Sequence, residues 1–364
     1  MLKVLHVLSA LDGGGVESML KSYYEQIEDE DVVFDFVVHG SKVGMLEDYF
    51  LSKGCRIFHV PSKRQNFCKY LHEINNILST IDYDVVHCHL GEKGSLVFRY
   101  AKKIGKSKCV CHAHGSFQYL SLFKRIFHKL RLRILEKFTD VYCACSHEAA
   151  INTFGDQICK KYPVKIIYNA FNLEKFYYSS NDRKEIRLSN NVAEEDFLLG
   201  MIGRLSIEKN HKFIFDILKL IDNSCVKLMV VGEGPLSEEL KDYAKNINLI
   251  DRIIFIGKVQ DPWRYYSAFD TFLFPSLFEG LGIALVEAQI SGLPCIVSER
   301  ISNDSIISKE SVSVVELVSE NWVNAINSYK NVKINRGVSI DKFTNYDIRI
   351  QYGELLQLYW GLLK

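Results

Sequence analysis

Short apolar runs alternate with helical patterns along almost the whole chain, and this alternation limits the fold more than any other feature. Lys3-Val-Leu-His-Val-Leu8 reads as a buried strand. Asp12-Gly-Gly-Gly-Val-Glu17 leaves it as a glycine loop, and residues 18–27 have helical spacing. Apolar runs at 32–39, 56–60, 84–90, 108–116, 141–145 and 164–169 repeat the unit. Strand, loop and helix in this repetition argue an α/β fold with parallel strands. A polar stretch at 178–191 holds few large apolar residues and is the place for a domain boundary. The alternation then resumes, with strands at 197–205, 227–231, 253–256, 272–274, 294–298 and 312–316. A last helix, 346–363, is long and rich in Leu and Tyr, which suits packing across both domains.

With 364 residues, each of two domains is large enough to bury its own core. The chain is 48% apolar and 24% charged with net charge +1, so no global charge points to nucleic acid. Its ten cysteines sit mostly inside apolar runs such as Val141-Tyr-Cys-Ala-Cys145 and read as buried thiols of a reducing compartment. Residues 2–8 are too short for a secretory signal, and no apolar run nears the roughly 20 residues that span a bilayer. A cytoplasmic protein is expected.

The most informative stretch runs from Phe272 to Gly292. An apolar strand end is broken by Pro275 and Ser276, and Glu279-Gly-Leu-Gly282 makes a tight loop that opens a helix at 283–290. A glycine turn at a helix start leaves free N–H groups and a positive dipole end, which suits a phosphate. Glu279 and Glu287 bracket that spot. A phosphate repels carboxylates, so they are better read as hydroxyl acceptors for sugars flanking a diphosphate. The plainer reading is a solvated loop glutamate and an ordinary helix glutamate.

Other candidates lie at strand exits, where ligands of open α/β sheets bind. Gly13-Gly-Gly15 is not the dinucleotide fingerprint GxGxxG, which disfavours an NAD oxidoreductase; it permits a phosphate cradle, a hinge or a simple turn. Arg204 and Lys209 leave the first strand of the second domain, placed to neutralise a diphosphate. His87, His89, His112 and His114 cluster with three cysteines, but lack the spacing of a zinc site. Of these, His89 and His114 stand at strand ends, and His114 is the one expected to face a reacting sugar. Residues 119–138 combine an apolar stripe (Phe123, Ile126, Phe127, Leu130, Ile134, Phe138) with Lys124, Arg125, Lys129, Arg131, Arg133 and Lys137. Such a helix lies at an anionic membrane surface, or packs on the sheet with a solvated basic face.

Taken together and in order, these motifs resemble the retaining GT-B glycosyltransferases of family 4 (glycosyltransferase group 1). The resemblance covers nearly the whole chain. Its most specific element is E-x7-E, here Glu279-Gly-Leu-Gly-Ile-Ala-Leu-Val-Glu287, flanked by His114-Gly115, Tyr168-Asn-Ala-Phe171, Gly203-Arg-Leu-Ser-Ile-Glu-Lys209 and Gly232-Glu-Gly234. Val4-Leu-His-Val-Leu-Ser-Ala and Cys143-Ala-Cys-Ser146 resemble the bacterial exopolysaccharide and capsule branch. The resemblance implies two Rossmann-like domains facing a cleft: an acceptor-side domain at 1–177, joined by the C-terminal helix 345–364, and a donor-binding domain at 178–344.

The resemblance also implies roles. Arg204 and Lys209 bind the donor diphosphate, with backbone N–H groups of Gly282, Ile283 and the Gly14–Gly15 loop. Glu287 accepts from ribose, Glu279 from the transferred sugar, and His114 contacts that sugar near the anomeric centre. The base lies by Lys258 and Val259. His89 and His112 have no assigned role. The reaction is transfer of a hexose or N-acetylhexosamine, by default from a UDP-sugar, to a glycan or lipid-linked glycan with retention of configuration. The protein would be cytoplasmic or peripheral at the inner membrane face. No DxD-type pair is placed for a metal, so metal independence is expected, with no cofactor besides the donor. Two alternatives remain: a nucleotide-sugar 2-epimerase on the same fold, and an inactive partner subunit.

Overall fold

A computed structural model describes residues 1–27, 31–105, 107–115, 122–330 and 336–364. Two compact units divide the chain: residues 1–172 with 345–364, and residues 173–344.

Among the described residues the first unit has seven parallel strands: β1 (Leu2–Val7), β2 (Val32–His39), β3 (Ile57–Val60), β4 (Val85–Cys88), β5 (Lys108–Ala113), β6 (Val141–Ala144) and β7 (Val164–Ile166). Their order is β3-β2-β1-β4-β5-β6-β7. Helices α1 (Gly15–Ile27), α2 (Glu47–Ser52), α3 (Phe67–Thr80), α4 (Ser95–Ile104), α5 (Leu122–Phe138) and α6 (His147–Lys161) connect them. Strands covered on both faces read as continuous apolar runs, which is why they stand out in the sequence.

The second unit has six parallel strands among the described residues: β8 (Phe197–Ile202), β9 (Val226–Val231), β10 (Ile253–Gly257), β11 (Thr271–Phe274), β12 (Cys295–Ser298) and β13 (Val312–Val315). The order is β10-β9-β8-β11-β12-β13. Its helices are α7 (Ser180–Ser189), α8 (His211–Leu220), α9 (Ser237–Asn246), α10 (Trp263–Ala268), α11 (Ile283–Ile290) and α12 (Ser319–Tyr329). The C-terminal helix α13 (Ile348–Leu362) belongs to the first unit. Its Ile348, Leu355 and Tyr359 join Val4, Phe34, Tyr23 and Tyr24 in that unit's core.

Both sheets reverse their winding beside their first strand, at β1/β4 and at β8/β11. Those two points, outside the carboxyl ends of the strands, are where doubly wound sheets take ligands.

Two expectations need correction. The boundary falls after residue 172 rather than 177, because the helical turn Leu173–Phe176 packs on α10 and α11. The polar stretch at 178–191 is not a bare linker, since it contains α7. That helix buries Arg187, which is 2% exposed and donates to Asp270 at 3.2 Å and to the carbonyls of Ala268, Ala193 and Asp196 at 2.6–3.0 Å. Arg183 holds the other oxygen of Asp270 at 3.0 Å. The helix docks through hydrogen-bonded guanidinium groups, which apolar periodicity does not detect.

Candidate active site

In the second unit the exit turns of β8 and β9 touch through glycine. Gly232 has φ +130°, and a Cβ there would lie 2.0 Å from the Gly203 carbonyl oxygen. Across this contact Gly203 N–H donates to Val231 O and Leu205 N–H to Glu233 O, both at 3.0 Å. The exits of β8 and β11 are also tied, by Leu277 N–H to Glu208 O at 2.8 Å and Asn210 Nδ2 to Pro275 O at 3.3 Å. These ties bring together residues 70 positions apart: Lys209 Nζ is ion-paired with Glu279 Oε2. Both side chains are less than one-fifth exposed. Lys209 Nζ also lies 4.8 Å from the centre of the Phe274 ring. Arg204 is exposed and, among the described residues, makes no ion pair. A small cavity beside the pair is lined by Gly203, Lys209, His211, Phe274 and Ser276.

The start of α11 differs from expectation. Gly282, at φ −75° and ψ 73°, centres an inverse γ-turn in which Ile283 N–H donates to Leu281 O at 2.9 Å. Gly282 N–H donates to Ser305 Oγ at 2.9 Å. The two N–H groups expected to stand open for a diphosphate therefore have partners, and a phosphate oxygen would have to displace Ser305 and open the turn. Ser305 is held in place by buried Gln289. Its Nε2 donates to Ser305 O at 2.7 Å, and its Oε1 accepts from Ile307 and Ser308 N–H at 2.9 Å.

Glu287 follows one helical face from this turn. It accepts from buried Tyr266 Oη at 2.6 Å. Burial without a cation pushes its carboxyl up to about 7, against the pull of the Tyr266 hydrogen bond. A carboxyl kept in such surroundings is a mark of a functional site.

Val259 is half-buried and Lys258 exposed in the exit loop of β10, two strands from the switch point. In the first unit Gly14 and Gly15 are exposed at the start of α1. The Glu17 carboxylate folds over that turn, so that a Cβ on Gly14 would meet its Oε2 at 2.5 Å. The loop is therefore not a bare phosphate cradle, since an acidic group already faces the helix start.

His114 follows β5, beside the exit of β4. Its Nε2 lies 2.8 Å from Nδ1 of His89. His89 Nε2 in turn lies 3.0 Å from Nδ1 of His6. A second pair, His87 and His112, is joined at 3.1 Å, and Tyr359 Oη reaches His87 Nδ1 at 2.7 Å. Burial pushes His6 and His114 down to about 3 and lowers the other three well below the ordinary histidine value. All five rings are neutral at physiological pH.

Residues 13–175 match the family described as Glycosyltransferase Family 4, and residues 182–336 match Glycosyl transferases group 1. An Escherichia coli protein, UDP-Gal:alpha-D-GlcNAc-diphosphoundecaprenol alpha-1,3-galactosyltransferase, is 30% identical over 329 residues, covering 85% of this chain and 82% of that one. The chain belongs to glycosyltransferase family 4. EpsF of Bacillus subtilis (strain 168) is 29% identical over 309 residues, 82% of this chain and 80% of EpsF. In fold, the chain is similar to Anabaena HepE solved with UDP and glucose, with a TM-score of 0.80 and 18% identity over 98% of this chain and 99% of that one. The GT-B fold expected from the motifs is the fold of this family-4 glycosyltransferase.

Within this glycosyltransferase, Arg204, Lys209, Glu279, Gly282, Ile283 and Glu287 share the carboxyl ends around β8 and β11. His114 belongs to the other unit, as do Gly14 and Gly15. Nothing local in the sequence marks Tyr266, Ser305 and Gln289, because each acts through a partner 16 to 23 positions away. In α5, residues 119–121 and the side chains of Phe123, Lys124 and Arg125 lie outside the described residues. Farther along, Ile126, Phe127 and Leu130 are 52%, 61% and 47% exposed, while Leu135 is buried. Part of the apolar stripe thus points outward, with exposed Lys129, Arg131, Arg133 and Lys137 around it.

Proposed function

We propose that this glycosyltransferase moves a hexose or N-acetylhexosamine from a UDP-sugar to a glycan or lipid-linked glycan acceptor, with retention of configuration, in surface-polysaccharide assembly. The observation that carries this reading is the meeting of Lys209 and Glu279 at the β8/β11 switch point, with exposed Arg204 in the exit of β8 and Glu287 farther along α11.

A diphosphate arriving there takes Lys209 from Glu279. Lys209 and Arg204 then neutralise the leaving group, the part that a metal plays in other transferases. Glu279, released, accepts from hydroxyls of the transferred sugar. Glu287 accepts from the ribose, and Val259 borders the base. The bond from the anomeric carbon to the diphosphate oxygen breaks, and its electron pair leaves with UDP. The acceptor oxygen bonds to the same face of that carbon, and its proton passes to the departing diphosphate. The diphosphate is a dianion in the bound donor and gains a further negative charge as this bond breaks, so the two cations hold the donor and stabilise the transition state more strongly still.

The named relatives support the substrate classes. HepE was solved with UDP-glucose, the Escherichia coli relative is named for UDP-Gal and a diphosphoundecaprenol acceptor, and CapH of Staphylococcus aureus, 26% identical, for capsular polysaccharide. An acceptor on a polyprenol sits in a membrane. Among the described residues no helix is long and apolar enough to cross one. The exposed Ile126, Phe127 and Leu130 of α5, set among cations, suit adsorption to an anionic bilayer from the cytoplasmic side.

The test is release of UDP. A transferase consumes a UDP-sugar only when acceptor is added. Turnover of donor alone into its 2-epimer would point to an epimerase, and binding without any turnover to an inactive partner subunit.

A further inference from the structure

Residues 40–46, between β2 and α2, back the glycine loop that leaves β1. Leu46 N–H donates to Leu11 O at 2.9 Å, and Gly44 comes so near that a Cβ there would lie 2.4 Å from the same oxygen. An exposed ion pair, Lys42 Nζ to Asp12 Oδ2 at 3.0 Å, adds a second tie. The far end of the segment is held by Glu47, the first residue of α2, which is 4% exposed. Its Oε1 accepts from Gly44 N–H at 2.7 Å, and its Oε2 meets Nε2 of His59, on β3, at 2.9 Å. The other ring nitrogen, His59 Nδ1, lies 2.8 Å from the Gly40 carbonyl oxygen.

Both neighbours of the His59 ring are acceptors. A backbone carbonyl has no proton to give, and neither has an ionised carboxylate. A proton placed between Glu47 and His59 rests on the ring, the more basic of the two groups. Neutral imidazole has one N–H and can serve one of these neighbours, whereas imidazolium serves both. This count is the same for either tautomer. Burial works against the charged ring, but the Gly40 carbonyl and the Glu47 carboxylate outweigh it and raise His59 above its ordinary 6.5. Glu47 is the charged group that acts on the ring. Beside it β2 presents uncharged Val38, and α3, packed on β3, places no charge that acts on it among the described residues.

We infer that His59 is a pH-sensitive latch: as imidazolium it bridges Gly40 and Glu47 and holds residues 40–47 against the glycine loop, and as a neutral ring it lets one end go. Because the folded chain binds this proton more tightly than the unfolded chain, the latch is fully closed below about pH 6.5 and opens as pH rises through the folded value, which lies above 6.5. On opening, either the Gly40 carbonyl loses its donor or the buried Glu47 carboxylate loses its cation, and the backing of the glycine loop loosens. The device lies wholly within the first unit and is independent of the donor site proposed above.

The test uses the full chain labelled with 15N, followed by NMR from about pH 6 to about pH 8.5. At the lower end both ring nitrogens of His59 carry protons, and the midpoint of its titration lies above 6.5. Glu47→Gln lowers that midpoint by about one unit or more, since the facing charge is gone. Protection of the Leu46 N–H against hydrogen exchange, corrected for the intrinsic rate, falls with rising pH in the parent. The fall approaches about 10-fold for each unit by which His59 stands above its ordinary value. His59→Gln offers two N–H donors that do not titrate, so its Leu46 protection stays flat over the same range. If Glu47→Gln does not fold, the parent titration and His59→Gln carry the test. A single N–H on His59 at about pH 6, or a midpoint at or below the ordinary 6.5, overturns the inference. So does Leu46 protection that follows the same course in the parent and in His59→Gln.

Discussion

Lys209 and Glu279, 70 positions apart, form an ion pair at the carboxyl ends of β8 and β11. The pair links the two groups expected to handle opposite ends of a bound donor, the diphosphate and the transferred sugar. Each side chain holds the other in place before chemistry begins.

Removing one partner therefore has an asymmetric result. Glu279→Ala loses a contact to the reacting sugar but frees Lys209 for the diphosphate. Turnover should fall by about 100-fold or more, while UDP-sugar affinity by calorimetry stays within about 3-fold. Unchanged turnover would take Glu279 out of the site.

Glu287 makes stability and binding depend on pH in opposite senses. Its carboxyl is raised from an ordinary 4.5 to about 7, so the folded chain binds that proton more tightly than the unfolded chain. Its contribution to stability is full below about pH 4.5 and is lost as pH rises through about 7. Glu287→Gln should remove this slope, melting higher than the parent at pH 8 and with little difference at pH 4.5. Donor affinity should rise from pH 6 to 8 in the parent, as the carboxylate ionises and accepts from ribose, and stay flat in Glu287→Gln. Parallel profiles for the two proteins would contradict this.

Arg187 makes α7 a structural helix. Arg187→Met takes a charged donor from three carbonyls and from Asp270, at a cost of about 3 kcal/mol. For a unit of this size that is a fall in Tm of about 6–12 °C. A change under 2 °C, within about 1 kcal/mol, would mean that the guanidinium is not what docks the helix.

The outward stripe of α5 predicts binding to vesicles containing phosphatidylglycerol, read by co-sedimentation. Replacing Lys124, Arg125, Lys129 and Arg133 with Ser should release the protein, and so should Phe127→Ser with Leu130→Ser. Absence of vesicle binding by the parent protein would sink the membrane reading.

Much of this architecture can be read from the sequence. Helices α9 and α11 fall on 237–246 and 283–290, where glycine and proline mark the ends. Strand exits follow from apolar runs, so Arg204, Lys209, Glu279 and His114 could be placed at carboxyl ends. Strand order within a sheet is not written in chain order, and the Lys209–Glu279 pair depends on β8 lying beside β11. The open N–H groups expected at Gly282 and Ile283 are a general property of helix starts. Here a γ-turn and Ser305, 23 positions later, take them up. The burial of Glu287 and the histidine chain likewise come from contacts across the fold, spaced 21 positions apart for Tyr266–Glu287 and 25 and 83 for the histidines. Helix α7 has no apolar stripe to mark it in the sequence, because its buried residues are one isoleucine, Ile186, and the charged Arg187.

The most direct test of the central claim is a donor panel by thermal shift: UDP-glucose, UDP-galactose, UDP-N-acetylglucosamine and GDP-mannose, each with and without EDTA. Binding to the folded protein raises Tm by mass action. The account predicts a rise with a UDP-sugar that EDTA leaves intact and that Arg204→Ala with Lys209→Ala abolishes. No shift with any donor, or a shift that EDTA removes, would contradict it.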